Sequence, residues 1–280
     1  MITIKDLYFN YPKSKMILNN ISLKFSEGNI YGLFGKNGEG KTSLLKILSG
    51  LLFAKSGQYM VCGNQGLKRN VNSLQHLFLV PEDFELSGVK ITAYEKINAP
   101  FYPNFSKEQF YDLIEEFQLS KNDNIATLSF GQKKKVLIAF GIATNTKILL
   151  MDEPTNGLDI PSKSQFRKIM ASIANVDRCI IISTHQVRDL HSLINHIVVL
   201  NDSKVVFDHS LFDVSERLCF GKYNGNDKAS IVYSEAGFGG KSVYHRNNSD
   251  ETEVDLELLF SGIVNSSDQI INALKPMYHE

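Results

Sequence analysis

The sequence lacks the net charge, the cysteine pairs and the long apolar runs that characterise several classes of protein. Its 280 residues carry 30 basic and 30 acidic side chains, which argues against a broad nucleic-acid-binding surface. Cys62, Cys179 and Cys219 form no C-x-x-C pair, so reduced thiols are expected and a metal site on cysteine is not. No apolar run approaches the roughly 20 residues that span a bilayer, and no signal peptide is recognisable. We therefore expect a cytoplasmic chain.

What the sequence does contain is a phosphate-binding loop. Residues Gly35 to Thr42 match G-x-x-x-x-G-K-[ST]. The apolar stretch 29–34 predicts a strand before the loop, and the apolar spacing of 43–50 predicts a helix after it. This arrangement aims backbone N–H groups and the positive end of a helix dipole at a phosphate. The alternative is a glycine-rich turn that binds nothing, and the correct flanks disfavour it.

The loop supplies the first group of predicted site residues. Lys41 is expected to reach the β- and γ-phosphates, and the Thr42 hydroxyl to hold Mg²⁺. The predicted nucleotide-binding residues of the loop are Gly35, Lys36, Asn37, Gly38, Glu39, Gly40, Lys41, Thr42 and Ser43.

Strand and helix patterns alternate along the rest of the chain. Strands are predicted at 1–8 (as an edge strand), 17–25, 57–62, 76–80, 147–151, 178–183, 197–200, 205–207, 229–233 and 242–244. Helical spacing from about 87 to 140 predicts an inserted helical subdomain, in which Ser106 is an N-cap. Further helices are predicted at 161–174, 210–218 and 251–260, and a loop at 224–227.

Two adjacent carboxylates follow the apolar strand at 147–151. Asp152 would lie at the carboxyl end of a parallel strand, where such folds bind ligands, and would orient Mg²⁺. Glu153 would polarise a water molecule that attacks the γ-phosphorus. An ordinary acidic turn is the alternative, and the phosphate loop upstream disfavours it.

The segment Leu128-Ser129-Phe130-Gly131-Gln132 reduces the number of nucleotide-binding families that fit the sequence. Together with the phosphate loop, residues 151–159 and Ser183-Thr184-His185, it resembles an ABC-type ATPase, the nucleotide-binding subunit of an ABC transporter. The resemblance covers about residues 1–217, and the order of the motifs looks most like the ABC-2-type exporters that include bacitracin-resistance ATPases. It implies an α/β fold of the P-loop ATPase type, with a mixed core sheet, N-terminal antiparallel strands, an inserted helical subdomain and a small α+β C-terminal extension. The implied domains are 1–219 and 220–280.

The resemblance also implies a role for single residues. Tyr11 would stack on adenine, although a plain strand-end tyrosine is the alternative. Glu153 would be the catalytic carboxylate, and His185 would contact the γ-phosphate. Ser129, Gly131 and Gln132 would face the γ-phosphate held by another subunit. Asp159 would lie in a loop that communicates between two sites.

Two positions depart from the family pattern. Phe130 stands where glycine is usual. Glu82 stands where glutamine usually follows the strand before the helical insert. A carboxylate at 82 can still bind Mg²⁺, so the expected metal ligands are Thr42, Glu82 and Asp152.

The expected function is ATP hydrolysis that drives a membrane permease carried on a separate chain, most similar to a bacterial exporter. The cofactors would be ATP and Mg²⁺, and the active form a head-to-tail homodimer or heterodimer on the inner face of the membrane. No nucleic-acid partner is expected. The alternatives are a soluble ABC ATPase acting on the ribosome or on nucleic acid, and a weakly hydrolysing regulatory subunit.

Overall fold

The structure is a computed structural model that describes residues 1–68, 70–173, 177–222, 230–235, 240–246 and 252–275. No helix within these ranges is both long enough and apolar enough to cross a membrane. The predicted loop at 224–227 lies outside the described residues.

Alternating apolar residues build an antiparallel sheet near the N-terminus. In spatial order its strands are β2 (Leu18–Phe25), β1 (Ile2–Phe9), β4 (Ser56–Val61) and β5 (Asn64–Gln65). Strand β1 pairs on both sides, so the prediction of an edge strand at 1–8 is wrong. The pairing with β4 joins residues 48 to 59 positions apart, and local alternation carries no information on such a partner.

A six-stranded mixed sheet forms the centre of the molecule, as predicted. In spatial order its strands are β10 (Lys204–Ser210), β9 (His196–Asn201), β3 (Asn29–Phe34), β8 (Cys179–Thr184), β7 (Ile148–Asp152) and β6 (Leu77–Val80). All neighbours pair in parallel except β9 and β10, which form an antiparallel hairpin.

Both faces of this sheet are covered, which explains the continuous apolar runs of its central strands. Ile148 and Leu150 pack into the cluster that includes β1 and β2. Leu149 and Met151 point the other way, into a cluster with residues of the helices.

Most helices lie in predicted helical segments, but the short helix at Val71–Leu74 was not predicted and the C-terminal helix departs from its predicted limits. They are α1 (Lys41–Leu48), α2 (Val71–Leu74), α3 (Ile91–Asn98), α4 (Lys107–Glu116), α5 (Phe130–Ala143), α6 (Ile160–Ile173), α7 (Leu211–Arg217) and α8 (Leu256–Ala273). Short 3₁₀ turns occur at Gly66–Lys68, Ala99–Phe101, Ile125–Thr127 and Val187–Leu190.

The helical insert lies between β6 and β7. Phe140 of α5 is its centre, with ring contacts to Phe78, Tyr94, Phe105 and Phe110 at centroid distances of 5.0–5.8 Å. The predicted N-cap of α4 is confirmed, because the Ser106 hydroxyl accepts a hydrogen bond from the Gln109 N–H.

The C-terminal segment adds a second small sheet. Its strands are β11 (Leu218–Gly221), β13 (Ser242–His245) and β12 (Ile231–Ser234), in that spatial order. The predicted helix at 251–260 is wrong in both limits: α8 begins after its N-cap Asp255 and continues to Ala273, across a non-helical residue at Ser266. Because Leu256, Leu259 and Ile263 join the same hydrophobic cluster as Phe140, this segment shares the core of the preceding residues. The division at 219/220 falls within β11 and stays a prediction.

Candidate functional site

The phosphate loop connects the end of β3 to the start of α1. A Cβ atom on Gly35 would lie 2.6 Å from the Leu200 carbonyl oxygen, so only glycine allows the loop to pass β9 at this point. Gly40 adopts a φ of 94° immediately before the helix, a conformation that other residues rarely adopt. No side chain caps α1, so its first N–H groups remain directed at whatever lies in the loop.

Lys41 is buried beneath this loop. Its ammonium donates hydrogen bonds to the carbonyl oxygens of Gly35 (2.7 Å) and Lys36 (3.1 Å). Burial lowers the pKa of Lys41, and the nearby carboxylates of Glu153 and Asp152 partly oppose that change. The lysine is therefore a charge held in place by its own loop and attracted to the acidic end of β7.

Two further contacts fix the surroundings of the loop. The Glu39 carboxylate accepts a hydrogen bond from the Ser203 N–H at the β9–β10 turn (3.2 Å). The Tyr11 hydroxyl lies 3.2 Å from the Ser43 hydroxyl, and the edge-to-face contact with Phe9 orients the ring. Tyr11 keeps 39% of its surface exposed, so its ring is available to a planar ligand.

The acidic pair lies where β7 and β8 end side by side. Asp152 is paired with Ser183 in the ladder, and the Ser183 hydroxyl donates to the Asp152 carboxylate. Glu153 follows with a φ of 45°, an unusual conformation for a residue with a side chain. This turn of the backbone directs its carboxylate across the end of β8.

Glu153 makes three contacts there. It accepts hydrogen bonds from the Thr184 hydroxyl (2.8 Å) and the His185 N–H (2.9 Å). The Nδ1 atom of His185 lies 2.7 Å from the same carboxylate. The carboxylate is 5% exposed and the imidazole 37%, so the histidine forms the outer part of the pair.

A cavity of about 550 Å³ joins most of these groups. Its lining residues are Tyr11, Ile17, Asn37, Gly38, Gly40, Lys41, Thr42, Ser43, Glu82, Glu153, Asn156 and His185. The structure therefore brings together the predicted aromatic residue, the loop, Glu82 and the Glu153–His185 pair. Gly35, Lys36, Glu39 and Asp152 lie around it without lining it.

Ser129, Gly131 and Gln132 do not line this cavity. They form the start of α5, where the Ser129 hydroxyl accepts from the Gln132 N–H and the Gln132 side chain accepts from the Ser129 N–H. A Cβ atom on Gly131 would lie 2.7 Å from the Gly157 carbonyl oxygen, so this helix start packs closely on the turn after β7. Ser129 and Phe130 are exposed.

Two lining residues were not predicted. Ile17 covers the side of the loop, and a single apolar residue at a strand start carries no distinct signal. Asn156 donates from its side-chain amide to the Glu82 carboxylate (3.0 Å). Its place in Asp152-Glu153-Pro154-Thr155-Asn156 puts it beside the acidic pair, and that proximity was the available signal.

The oxygen atoms near the phosphate loop fit a Mg²⁺ ion that is also bound by phosphates. Thr42, Glu82 and Asp152 supply hydroxyl and carboxylate oxygens, the ligands that Mg²⁺ prefers. Among the described residues, no group of three or more His, Cys, Asp or Glu side chains is arranged to hold a metal ion alone. These residues suit a Mg²⁺ ion that takes most of its ligands from phosphates and water.

A second cavity, of about 460 Å³, lies between the 3₁₀ turn at Val187–Leu190 and the C-terminal segment. Four of its charged side chains are paired, Arg188 with Glu257 (2.5 Å) and Lys241 with Asp255 (2.7 Å). It contains no phosphate loop or acidic strand end, so the first cavity is the candidate site.

A mixed sheet, a phosphate loop before α1 and an acidic pair at the end of β7 define a P-loop ATPase. The family model described as ABC transporter matches residues 18–156. The methionine import ATP-binding protein MetN of Carboxydothermus hydrogenoformans is 32% identical over 228 residues, which cover 76% of this chain and 67% of that protein. This chain therefore belongs to the ATP-binding proteins of ABC transporters, and it is an ATP-binding ATPase cassette.

Further relatives show comparable identity. The lantibiotic transport ATP-binding protein SrtF of Streptococcus pyogenes is 28% identical, over 78% of this chain and 94% of that protein. An ABC transporter ATP-binding protein of Bacillus cereus is 28% identical over 76% of this chain. The match spans only 39% of that longer protein.

Solved structures agree in fold. The structure of an ATP-binding subunit of an ABC transporter superposes with a TM-score of 0.69 at 23% identity, covering 76% of this chain and 91% of that one. A dimeric post-hydrolysis structure of the cassette MJ0796, bound to ADP and Pi, gives 0.66 at 20% identity, with 75% and 99% covered.

Proposed function

We propose that this chain is the ATPase subunit of a membrane exporter, in which two cassettes close on two molecules of ATP. The observation that carries the proposal is the 550 Å³ cavity, where Tyr11, the phosphate loop and the Glu153–His185 pair meet. The roles follow from position. Tyr11 stacks on the base, Lys41 and the loop amides hold the phosphates, and Thr42, Asp152 and Glu82 hold Mg²⁺.

Glu153 is the proposed general base. Its carboxylate lines the cavity and is held there by Thr184 and His185. Both oxygens already accept hydrogen bonds, so a bound water molecule competes with His185 for the same carboxylate. His185 is the group proposed to contact the γ-phosphate, and its movement toward the phosphate would free Glu153 for that water.

The dimer is proposed because the residues at the start of α5 do not line the cavity. Ser129, Gly131 and Gln132 start an exposed helix N-terminus that does not face the Lys41 loop of the same chain. A helix N-terminus attracts phosphate. A second cassette arranged head to tail would place its own helix N-terminus at the nucleotide bound in this cavity. Two bound nucleotides would then favour the closed state and hydrolysis the open one.

The first experiment compares Glu153→Gln with Lys41→Ala. We expect Glu153→Gln to reduce turnover by about 10²- to 10⁴-fold, because it removes the general base, while ATP still binds and the dimer becomes detectable by light scattering. Lys41→Ala should abolish both ATP binding and dimer formation. Glu27→Gln, which changes an exposed carboxylate in a distant turn, is the control. Unchanged turnover in Glu153→Gln would rule out Glu153 as the base.

The membrane partner and the direction of transport need a second experiment. Cassettes of this family work with membrane permeases, and the proposed location is the inner face of the membrane. Export is proposed from the order of the motifs, and the SrtF relative is named for lantibiotic transport. Import is the second candidate, because MetN is the more identical relative. Purification of the tagged chain from detergent-solubilised membranes, followed by transport assays of the reconstituted complex in vesicles, decides both. Recovery with ribosomes or nucleic acid would contradict the transporter assignment.

A further inference from the structure

Lys134 is a buried cation that the proposed mechanism does not use. It lies in the second turn of α5 and has no exposed surface. Lysine is almost never fully buried unless it is paired, yet no carboxylate of the described residues forms an ion pair with it. Its ammonium donates instead to two main-chain oxygens, those of Pro81 (3.2 Å) and Glu82 (3.1 Å).

Two stacked phenyl rings lie close to the same ammonium. Its nitrogen lies 5.5 Å from the ring centroid of Phe84 and 5.8 Å from that of Phe130, within the range of cation–π attraction. The two rings stack with centroids 5.2 Å apart and an interplanar angle of 26°. Phe130 and Lys134 are four residues apart in α5, which places them on one face of the helix.

These contacts join three segments that are distant in sequence. The loop after β6 contributes Glu82 and Phe84, and α5 contributes Phe130 and Lys134. The turn after β7 contributes Asn156, which donates to the Glu82 carboxylate. Glu82 and Asn156 line the nucleotide cavity, whereas Phe84, Phe130 and Lys134 do not. The cluster therefore supports the cavity wall from outside.

We propose that Lys134, which lies beside the stacked rings of Phe84 and Phe130, is a positioning residue that fixes the main chain at Pro81–Glu82 and so sets the reach of the Glu82 carboxylate toward nucleotide-bound Mg²⁺. This inference rests on the proposed function of the site. Burial lowers the pKa of Lys134, and the nearby Glu82 carboxylate is the strongest of the charges that oppose this change. In this chain the exposed phenyl ring at 130 is then part of the support for the lysine.

The test is Lys134→Met, which keeps an unbranched side chain and removes the charge. We expect turnover to fall by about 10- to 100-fold, as for a misplaced reacting group, and the Mg²⁺ concentration for half-maximal activity to rise several-fold. Binding of a fluorescent ATP analogue without Mg²⁺ should stay close to wild type. Lys133→Met, on the same helix and outside the cluster, is the matched control and should change neither quantity.

A double-mutant cycle with Glu82→Gln separates positioning from general support. If Lys134 acts through Glu82, the double variant should lose little more than the more affected single variant. Strictly additive losses, or an unchanged Mg²⁺ requirement in Lys134→Met, would overturn the inference. If Lys134→Met does not fold, Phe84→Leu replaces it, and an unchanged Mg²⁺ requirement there overturns it equally.

The same measurements distinguish the inference from the proposed function. Wild-type hydrolysis that is lost in Lys41→Ala but unaffected in Lys134→Met would reject the inference alone. Absence of ATP binding and hydrolysis in the wild-type chain, assayed with its membrane partner, would reject the proposed function.

Discussion

At the scale of single residues, Tyr11 connects a strand end to the nucleotide loop. Its ring is fixed by Phe9 on one side and its hydroxyl by Ser43 on the other. Both contacts hold the ring before any ligand arrives, so little side-chain entropy is lost when a base stacks on it.

We expect Tyr11→Ala to weaken ATP binding by about 1–3 kcal/mol, the usual contribution of one base stacked on an aromatic ring. Tyr11→Phe keeps the ring and loses only the hydroxyl contact, so its affinity should remain near that of the wild type. Titration calorimetry with ATP measures both. Equal losses in the two variants would assign the effect to the hydroxyl group and not to stacking.

Single residues also show where sequence reasoning succeeds and where it stops. The loop residues and Glu153 follow from local motifs, because each motif specifies the strand or helix on which it lies. Lys134 and Phe84 were not predicted. They lie 50 residues apart and meet only because α5 packs beside the loop after β6, and no local spacing encodes that contact.

At the scale of elements, two helices of the insert begin in the same way. Ser129 caps α5 and Ser106 caps α4, and each hydroxyl accepts a hydrogen bond from the N–H three residues later at 3.2 Å. Only the Ser129 cap belongs to the segment proposed to meet a partner's nucleotide. A comparison of the two serines therefore separates the effect of helix capping on stability from an effect on the nucleotide site.

Both Ser129→Ala and Ser106→Ala should destabilise the chain by about 1 kcal/mol, the typical loss for an N-cap. For a chain of this size this corresponds to a Tm that is lower by about 2–4 °C. Only Ser129→Ala should also reduce ATPase activity at a temperature where both variants are folded. Thermal unfolding and steady-state ATPase assays measure the two effects. An equal loss of activity in Ser106→Ala would mean that stability alone explains it.

The C-terminal elements show a limit of pattern reasoning at this scale. The apolar spacing before Phe260 indicated a short helix, yet α8 continues for a further 13 residues to Ala273. The continuation is held by tertiary burial, since Ile263 and Ile270 insert into the common core. Burial of this kind stabilises helices beyond what their local sequence favours.

At the scale of the whole molecule, the C-terminal segment is attached to the loop that carries His185. The backbone carbonyl of Val254 lies 3.0 Å from His191 Nε2, and Phe260 meets Phe34, the last residue before the phosphate loop, at a centroid distance of 6.2 Å. Arg188 and Glu257 form an exposed ion pair across the same junction.

Apolar burial should stabilise this junction much more than the ion pair does. A chain that ends at Arg217 loses β11 and α8, uncovers the shared core, and should show a much lower Tm or aggregate. Arg188→Ala removes only an exposed pair, and such pairs contribute little, so its Tm should be unchanged. Differential scanning fluorimetry and size-exclusion chromatography measure both variants. A truncated chain with wild-type Tm would mean that the segment is a passive tail.

The contact between Gly157 and Phe130 also has a consequence for how this sequence can change over generations. A Cβ atom at position 157 would lie 2.8 Å from the Phe130 ring, and Gly157 has a φ of 79°. A gene encoding any other residue at 157 would therefore meet a steric penalty once phenylalanine arose at 130. While the phenyl ring remains at 130, the codon for residue 157 is not free to drift from glycine.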